Sequence, residues 1–257
     1  LSQNYQEICD HSCSQGKIYI IGTGPGDLAH LTPHAKKALE ESEVVVGYNY
    51  YLTLLKPLLE NKKILGSGMK REIERGHMAL KEANTGKTVA VISSGDPGVY
   101  GMAGVIWELI KTTGSSLEVE VVPGVTAATA AAALLGAPLM HDFAVISLSD
   151  LLTPWETIKK RIEAAAVADF VTVIYNPKSI KRTHQIEFLR ETFLKHRDPH
   201  TPVGIVKNAY RPEQEIILAN LHNFTQQNID MFSIVVIGNA QTYQFNDKLI
   251  TPRGYRL

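Results

Sequence analysis

The sequence predicts an α/β protein of two domains: an amino-terminal doubly wound parallel sheet, then a carboxy-terminal α/β domain with a mixed sheet. Three observations predict it. Short apolar runs alternate with longer amphipathic segments through the first half, the pattern of βαβ units. These runs end in loops rich in glycine, proline and small polar residues, such as Gly22-Thr23-Gly24-Pro25-Gly26-Asp27. After Pro138 the rhythm changes, and two late apolar runs follow one another with no strong helix signal between them.

Residues 17–21 read as the first strand. A helix over 33–43 follows, with Thr32 as N-cap and Pro33 at the first helical position, where its missing N–H costs nothing. Residues 44–46 form a second strand, and a helix across 50–59 should break at Pro57. Residues 64–65 make a third strand, 71–84 a helix stopping near Gly86, and 88–92 and 119–122 the fourth and fifth strands. The alanine run 126–135 is helical, with Gly136 as its C-cap. The domain boundary is placed between Gly136 and Phe143, giving a tail at 1–16 and domains at 17–137 and 138–257. In the second domain 144–148, 170–175, 203–206, 215–218 and 233–237 read as strands, and 155–167 and 181–196 as helices. The last two strands are expected to pair antiparallel, and 252–255 to form a short exposed tail.

Composition narrows the function. Hydrophobic content of 44% and charged content of 20% are those of a soluble globular protein. Lys plus Arg and Asp plus Glu balance at 26 each, so no global positive field invites a nucleic acid. No apolar run approaches the roughly 18 residues a membrane span needs, and residues 1–15 carry no apolar leader core. The two cysteines, Cys9 and Cys13, exclude a disulfide framework and suit a reducing cytoplasm. The cluster Cys9-Asp10-His11-Ser12-Cys13 reads as a tail rather than a metal centre, because a closed site usually takes four ligands. No metal site is expected elsewhere, since Pro33 and Pro199 interrupt the pairs His30/His34 and His196/His200.

The loop 22–27 invites a dinucleotide-binding reading and resists it. Asp27 stands where that fingerprint needs a small residue, and its carboxylate would repel a pyrophosphate. Pro25 removes an amide donor, and the second strand ends in Gly47 rather than in an acidic residue for a ribose. A tight turn explains Gly22 and Gly24 but leaves Pro25-Gly26-Asp27 unexplained.

Further loops complete a pattern. Ser93-Ser94-Gly95-Asp96-Pro97-Gly98-Val99-Tyr100-Gly101 follows the fourth strand and Val122-Pro123-Gly124-Val125-Thr126-Ala127 the fifth. Tyr175-Asn176-Pro177-Lys178-Ser179 and Val206-Lys207-Asn208-Ala209 end strands of the second domain. Ligands of open α/β sheets bind outside the carboxyl ends of strands, so these loops are expected to converge on one crevice. Together with Gly-x-Gly-Pro-Gly-Asp at 22–27, the order and spacing resemble the tetrapyrrole methylases, the class III methyltransferases, from Lys17 to about Asn239. Val46-Gly47-Tyr48, the Ser93–Met102 stretch and Tyr175-Asn176-Pro177-Lys178-Ser179 resemble the branch that methylates carbon 17 of precorrin-3B or cobalt-precorrin-3 and contracts the ring.

The resemblance implies a two-domain fold with the active-site cleft between the domains, a homodimer, and an acidic tetrapyrrole as substrate. It implies S-adenosylmethionine as cofactor, leaving as S-adenosylhomocysteine. The matching cofactor positions are Pro25, Ser94, Gly95, Asp96, Val99, Thr126, Ala127, Asn176 and Ala209, with Gly101 adjacent. Asp96 could accept from an ammonium or from ribose hydroxyls, and Thr126 could serve the ligand, cap a helix, or both. Segment 45–59 carries an apolar surplus suited to a dimer face or to a buried helix. Ring contraction needs proton transfers, for which Asp27, His141 and Lys178 are candidates. His141 could equally be a hinge histidine, and Asp27 a turn residue or cap. Lys178, Ser179 and Arg182 are expected to bind substrate carboxylates, with Ser179 and Arg182 on one face of a helix starting there. The alternatives are a methylase acting on precorrin-4 or uroporphyrinogen, from which the Tyr-Asn-Pro-Lys-Ser loop discriminates, and a noncatalytic methylase-like binding module.

Overall fold

The structure, a computed structural model, describes residues 16–256. Cys9, His11 and Cys13 lie outside the described residues. The chain divides into two compact units, Leu1–Thr23 with Leu28–Gly124, and Gly24–Asp27 with Val125–Leu257.

The first unit contains β1 (Lys17–Gly22), α1 (Pro33–Glu41), β2 (Val44–Tyr48), α2 (Asn49–Leu54), β3 (Lys63–Ser67), α3 (Glu72–Ala83), β4 (Thr88–Ser93), α4 (Met102–Thr113) and β5 (Glu118–Val122). Its five strands form one sheet in the order β3-β2-β4-β1-β5, and every pairing is parallel. The central strands are buried on both faces, which is why they read as continuous apolar runs. One face packs Ile18, Ile20, Val89 and Val91 under Ala79 and Leu80 of α3 and Ile106 of α4. The other packs Tyr19, Ile21, Val45 and Ile92 under Ala35 and Leu39 of α1 and Leu52 of α2. Thr32 caps α1 as its sequence predicts, its hydroxyl accepting from Ala35 N–H at 3.1 Å. Pro57 ends α2 early, and a 3₁₀ turn takes over at Lys56–Leu58. The apolar surplus of 45–59 goes inward: Leu52, Leu55 and Leu59 belong to the unit's own core.

The second unit contains α5 (Ala127–Leu135), β6 (Gly136–Ala137), β7 (Phe143–Ser147), α6 (Trp155–Val167), β8 (Val171–Tyr175), α7 (His184–Leu194), β9 (Pro202–Lys207), β10 (Glu215–Asn220), β11 (Ser233–Ile237), β12 (Tyr243–Phe245) and β13 (Lys248–Ile250). The main sheet runs β10-β9-β11-β8-β7. It is mixed: β7 and β8 are parallel, while β11 is antiparallel to both β8 and β9. Helices α6 and α7 cover one face with Ile158, Ile162, Leu189 and Phe193. Helix α5 covers the other with Ala128, Ala131 and Leu135.

Three expectations differ from the structure. The alanine-rich helix α5 belongs to the second unit, so the division falls at Gly124/Val125 rather than between Gly136 and Phe143. The physical reason is packing: β9 carries Gly204 under Leu135, where an added Cβ would lie 2.5 Å from the leucine Cδ2. Strands β10 and β11 do not pair with each other; both pair antiparallel with β9, which lies between them. Helix α7 begins at His184 rather than near residue 181, because 179–182 closes into a turn of its own. A small sheet β12-β13-β6 is an addition that the sequence signals did not reveal.

Candidate active site

In the first unit the carboxyl ends of β1, β4 and β5 meet through backbone alone. A Cβ on Gly22 would lie 2.6 Å from Gly124 N and 2.8 Å from Gly95 O. A Cβ on Gly124 would lie 2.2 Å from Gly95 O. No side chain fits there, so all three strands must end in glycine or just before one. Gly95 also adopts φ +67°, a conformation open to glycine at little cost. Thr23 fastens the same ends, donating from N–H to Ser93 O at 2.9 Å.

Asp96 is held from two sides. Its Oδ1 accepts from Gly98 N–H at 2.8 Å and its Oδ2 from Gly124 N–H at 3.1 Å. The carboxylate therefore ties the β4 loop to the β5 loop, and only its remaining lone pairs can meet a ligand. Gly101 has a packing reason of its own, since a Cβ there would lie 2.6 Å from Ser93 Oγ. Val99 N–H donates to Asp96 O at 3.2 Å, closing the turn that presents this loop.

In the second unit side chains do the corresponding work. Tyr175, at the end of β8, places its hydroxyl 2.8 Å from Ala128 N and 2.6 Å from Thr126 Oγ1. It thus accepts from a free N–H at the start of α5, the role usually taken by the N-cap side chain. Thr126 sits at the N-cap position but makes no side-chain bond to the helix. Asn176 bends the chain with φ +50°, and its Nδ2 donates to Ser147 Oγ at 3.0 Å. Asn208, after β9, adopts φ +51°, so β8 and β9 are each followed by an asparagine of left-handed conformation. Ala209 follows it and packs on the core that holds α5.

The segment Gly24–Asp27 also belongs to this unit, and Arg211 explains it. Arg211 Nε donates to Pro25 O at 2.5 Å. A Cβ on Gly26 would lie 2.2 Å from Arg211 Cγ, so the arginine stem requires glycine at that turn. Sequence reasoning missed Arg211, because nothing local marks a partner 186 residues away.

The remaining candidates are placed as follows. Ser179 and Arg182 bond one another's backbones reciprocally, at 3.0 and 3.2 Å, rather than sharing a helix face. Arg182 Nη2 donates to Asn176 O at 2.9 Å, while its buried Nε has no hydrogen-bond partner. Burial pulls the Arg182 pKa down, opposed by the nearby Asp150 carboxylate. Lys178 is half-buried and makes no ion pair among the described residues. His141 is exposed, and its Nδ1 accepts from Asp142 N–H at 3.0 Å. Neutral His141 so bonded carries its proton on Nε2. Asp27 is exposed. Among the described residues no group of three or more His, Cys, Asp or Glu side chains could hold a metal ion. No helix among them is long and apolar enough to cross a membrane.

Two carboxyl strand edges rich in backbone donors and acceptors, with little acid–base machinery, suit a group-transfer enzyme. Residues 17–225 match the family described as Tetrapyrrole (Corrin/Porphyrin) Methylases. The chain is 50% identical over 246 residues to a cobalt-factor III methyltransferase of Priestia megaterium, covering 94% of this chain and 46% of that protein. It therefore spans about half the length of that relative. It is 48% identical over 240 residues to a probable cobalt-factor III C(17)-methyltransferase of Salmonella typhimurium, covering 93% of this chain and 100% of that one. The crystal structure of the methyltransferase CobJ superposes with a TM-score of 0.87 at 36% identity, covering 92% of this chain and 100% of that chain.

The chain belongs to the tetrapyrrole methylases, and its fold is theirs. It is a methyltransferase, and relatives that it matches along nearly their whole length are named probable cobalt-factor III C(17)-methyltransferases.

Proposed function

We propose that this protein transfers the methyl group of S-adenosylmethionine to carbon 17 of a precorrin-3B-type tetrapyrrole, with contraction of the ring. The observation that carries this reading is the 48% identity along the whole length of a relative named a probable cobalt-factor III C(17)-methyltransferase. The names of the relatives favour cobalt-factor III as the substrate form.

The residues present suit the cofactor. Backbone groups around Ser94, Gly95, Asp96, Val99 and Gly101 are brought close by glycine contacts that leave no room for a Cβ. Pro25, Thr126, Ala127, Asn176 and Ala209 supply the second set, held by Arg211 and Tyr175. The cofactor brings a sulfonium with a good leaving group, so this chain's task is to hold donor and acceptor carbon in line. Lys178, Ser179 and Arg182 are assigned to the substrate's carboxylates. Asp27, His141 and Lys178 remain the candidates for proton transfer. With its proton on Nε2, His141 is suited to donate a hydrogen bond at that atom rather than to act there as a base. We assign a homodimer on the family resemblance and a cytoplasmic location on the cysteine usage; light scattering at micromolar concentration that returned a monomer mass would count against the dimer.

The test is incubation with labelled S-adenosylmethionine and cobalt-factor III, with product mass read out. One added methyl group is expected. Methylation of uroporphyrinogen or precorrin-4 in its place would assign the chain to another branch. Calorimetry with S-adenosylhomocysteine should show binding, and NAD should give none.

A further inference from the structure

The loops that leave strands β7 and β8 carry apolar side chains that the fold itself does not use. Leu151 and Leu152 are 63% and 93% exposed, and Ile180 is 101% exposed. The two strands pair in parallel up to Ser147↔Tyr175, so the loops start side by side. Asn176 Nδ2 ties their base to Ser147 Oγ at 3.0 Å, and Gln185 of α7 holds the β7 loop, its Nε2 donating to Asp150 Oδ2 at 2.8 Å. The apolar tips are therefore held out by an anchored base.

Charge around them is one-sided. Ile180 lies among Lys178, Lys181 and Arg182, while residues 148–154 carry one carboxylate, Asp150, which Gln185 already engages. Among the described residues Lys178 and Lys181 make no ion pair. Exposed apolar surface rimmed by polar groups marks interaction sites, and lysines without an ion pair beside it favour an anion. A ligand with an apolar face and a rim of carboxylates matches both features, which is the chemistry of a tetrapyrrole macrocycle. Resting on the methyltransferase reading above, we infer that Leu151, Leu152 and Ile180 form an apolar platform for the face of the macrocycle, with Lys178 and Lys181 on its peripheral carboxylates. These apolar tips and the two lysines then set substrate affinity and orientation and leave cofactor affinity alone.

The full chain carrying Leu152→Ser and Ile180→Ser tests this, since both positions are exposed and the fold should not notice. Val167→Ser, an exposed position at the end of α6, is the control. Cobalt-factor III binding is read by absorbance titration and S-adenosylhomocysteine binding by calorimetry. The double variant should raise the cobalt-factor III dissociation constant about tenfold or more, the scale expected for two lost apolar contacts. Its S-adenosylhomocysteine affinity should be unchanged, and the control should move neither. Leu152→Glu with Ile180→Glu should weaken the tetrapyrrole further by adding like charge. A serine variant that binds cobalt-factor III as tightly as wild type, or loses both ligands equally, overturns the platform alone. Wild-type protein that binds S-adenosylhomocysteine but no cobalt-factor III overturns the substrate reading and the platform with it.

Discussion

The two units finish their strands in opposite ways. At the carboxyl ends of β1, β4 and β5 side chains are removed, and Gly22, Gly95 and Gly124 touch through backbone. At the ends of β7 and β8 side chains are added, and Ser147, Tyr175 and Asn176 fill the space with hydrogen bonds. The other sheet edges differ too. In the first unit that edge carries Lys–Glu pairs, with Lys17 2.7 Å from both Glu118 and Glu120. In the second it holds the buried Arg197, which donates to the carbonyls of Gly238, Ala165 and Phe170. In this chain the parallel sheet crowds the backbone at its strand ends, whereas the mixed sheet is bridged there by polar side chains. Each edge therefore fails in its own way when changed.

Arg197→Ala should have the largest effect. Arg197 stacks 4.4 Å over the Phe193 ring and lies 3.4 Å from Asp169. Burial lowers its pKa to about 10, so it is charged at neutral pH despite the cost. Removing it leaves three carbonyls without this donor, and a loss of about 3–5 kcal/mol is expected. Urea unfolding measures it. A loss below about 1 kcal/mol would mean that water replaces the guanidinium and that this edge is not built on buried side chains.

Gly124→Ala comes next. A new Cβ would collide with backbone on two neighbouring strand ends, and backbone cannot swing aside as a side chain can. A destabilisation of about 2–4 kcal/mol is expected, toward the upper end for overpacking. S-adenosylhomocysteine affinity should fall with it, because Gly124 N–H also anchors Asp96. A variant with wild-type stability would show that the glycines serve something other than close approach.

Tyr175→Phe should be milder. It keeps the ring and removes the hydroxyl that bonds Ala128 N–H and Thr126. The expected cost is about 1–2 kcal/mol in stability. Thr126→Ser should restore nothing, since the missing acceptor lies on the other partner. Unchanged stability in Tyr175→Phe would mean that Thr126 turns back to cap α5 unaided.

These contrasts also explain what the sequence could and could not reveal. Strands β1, β2, β4, β8 and β11 were legible because burial on both faces makes them continuous apolar runs. The glycine loops were legible as motifs, though their reason, contact between Gly22, Gly95 and Gly124, spans some 100 residues and leaves no local signal. Tyr175 stood inside a motif, yet its bond to α5 crosses 47 residues. Helix α5 was legible as a helix but not as part of the second unit, because an alanine run has no strongly one-sided face to declare its partner. The turn at Ser179 and Arg182 replaced the expected helix start because their paired backbone bonds close it first.

Glu82→Gln should have the smallest effect and isolates the remaining edge. Glu82 receives Lys63 at 2.5 Å and Lys87 at 2.7 Å, and those two ammonium groups hold its pKa down to about 2, against an ordinary 4.5. A carboxyl whose folded pKa is depressed stabilises the fold above its unfolded pKa and loses that contribution as pH falls through the folded value. The contribution is thus complete above about pH 4.5 and declines between there and about pH 2. Both lysines are part-exposed, so salt should screen the pairs. Stability measured from pH 7 down to pH 2 should fall less steeply in Glu82→Gln than in wild type, with the two curves converging at the acid end. Added salt should narrow the gap at neutral pH. Parallel curves across the whole range would mean that the Lys–Glu edge of the first unit contributes no stability through charge, and the contrast with the buried Arg197 edge would reduce to packing.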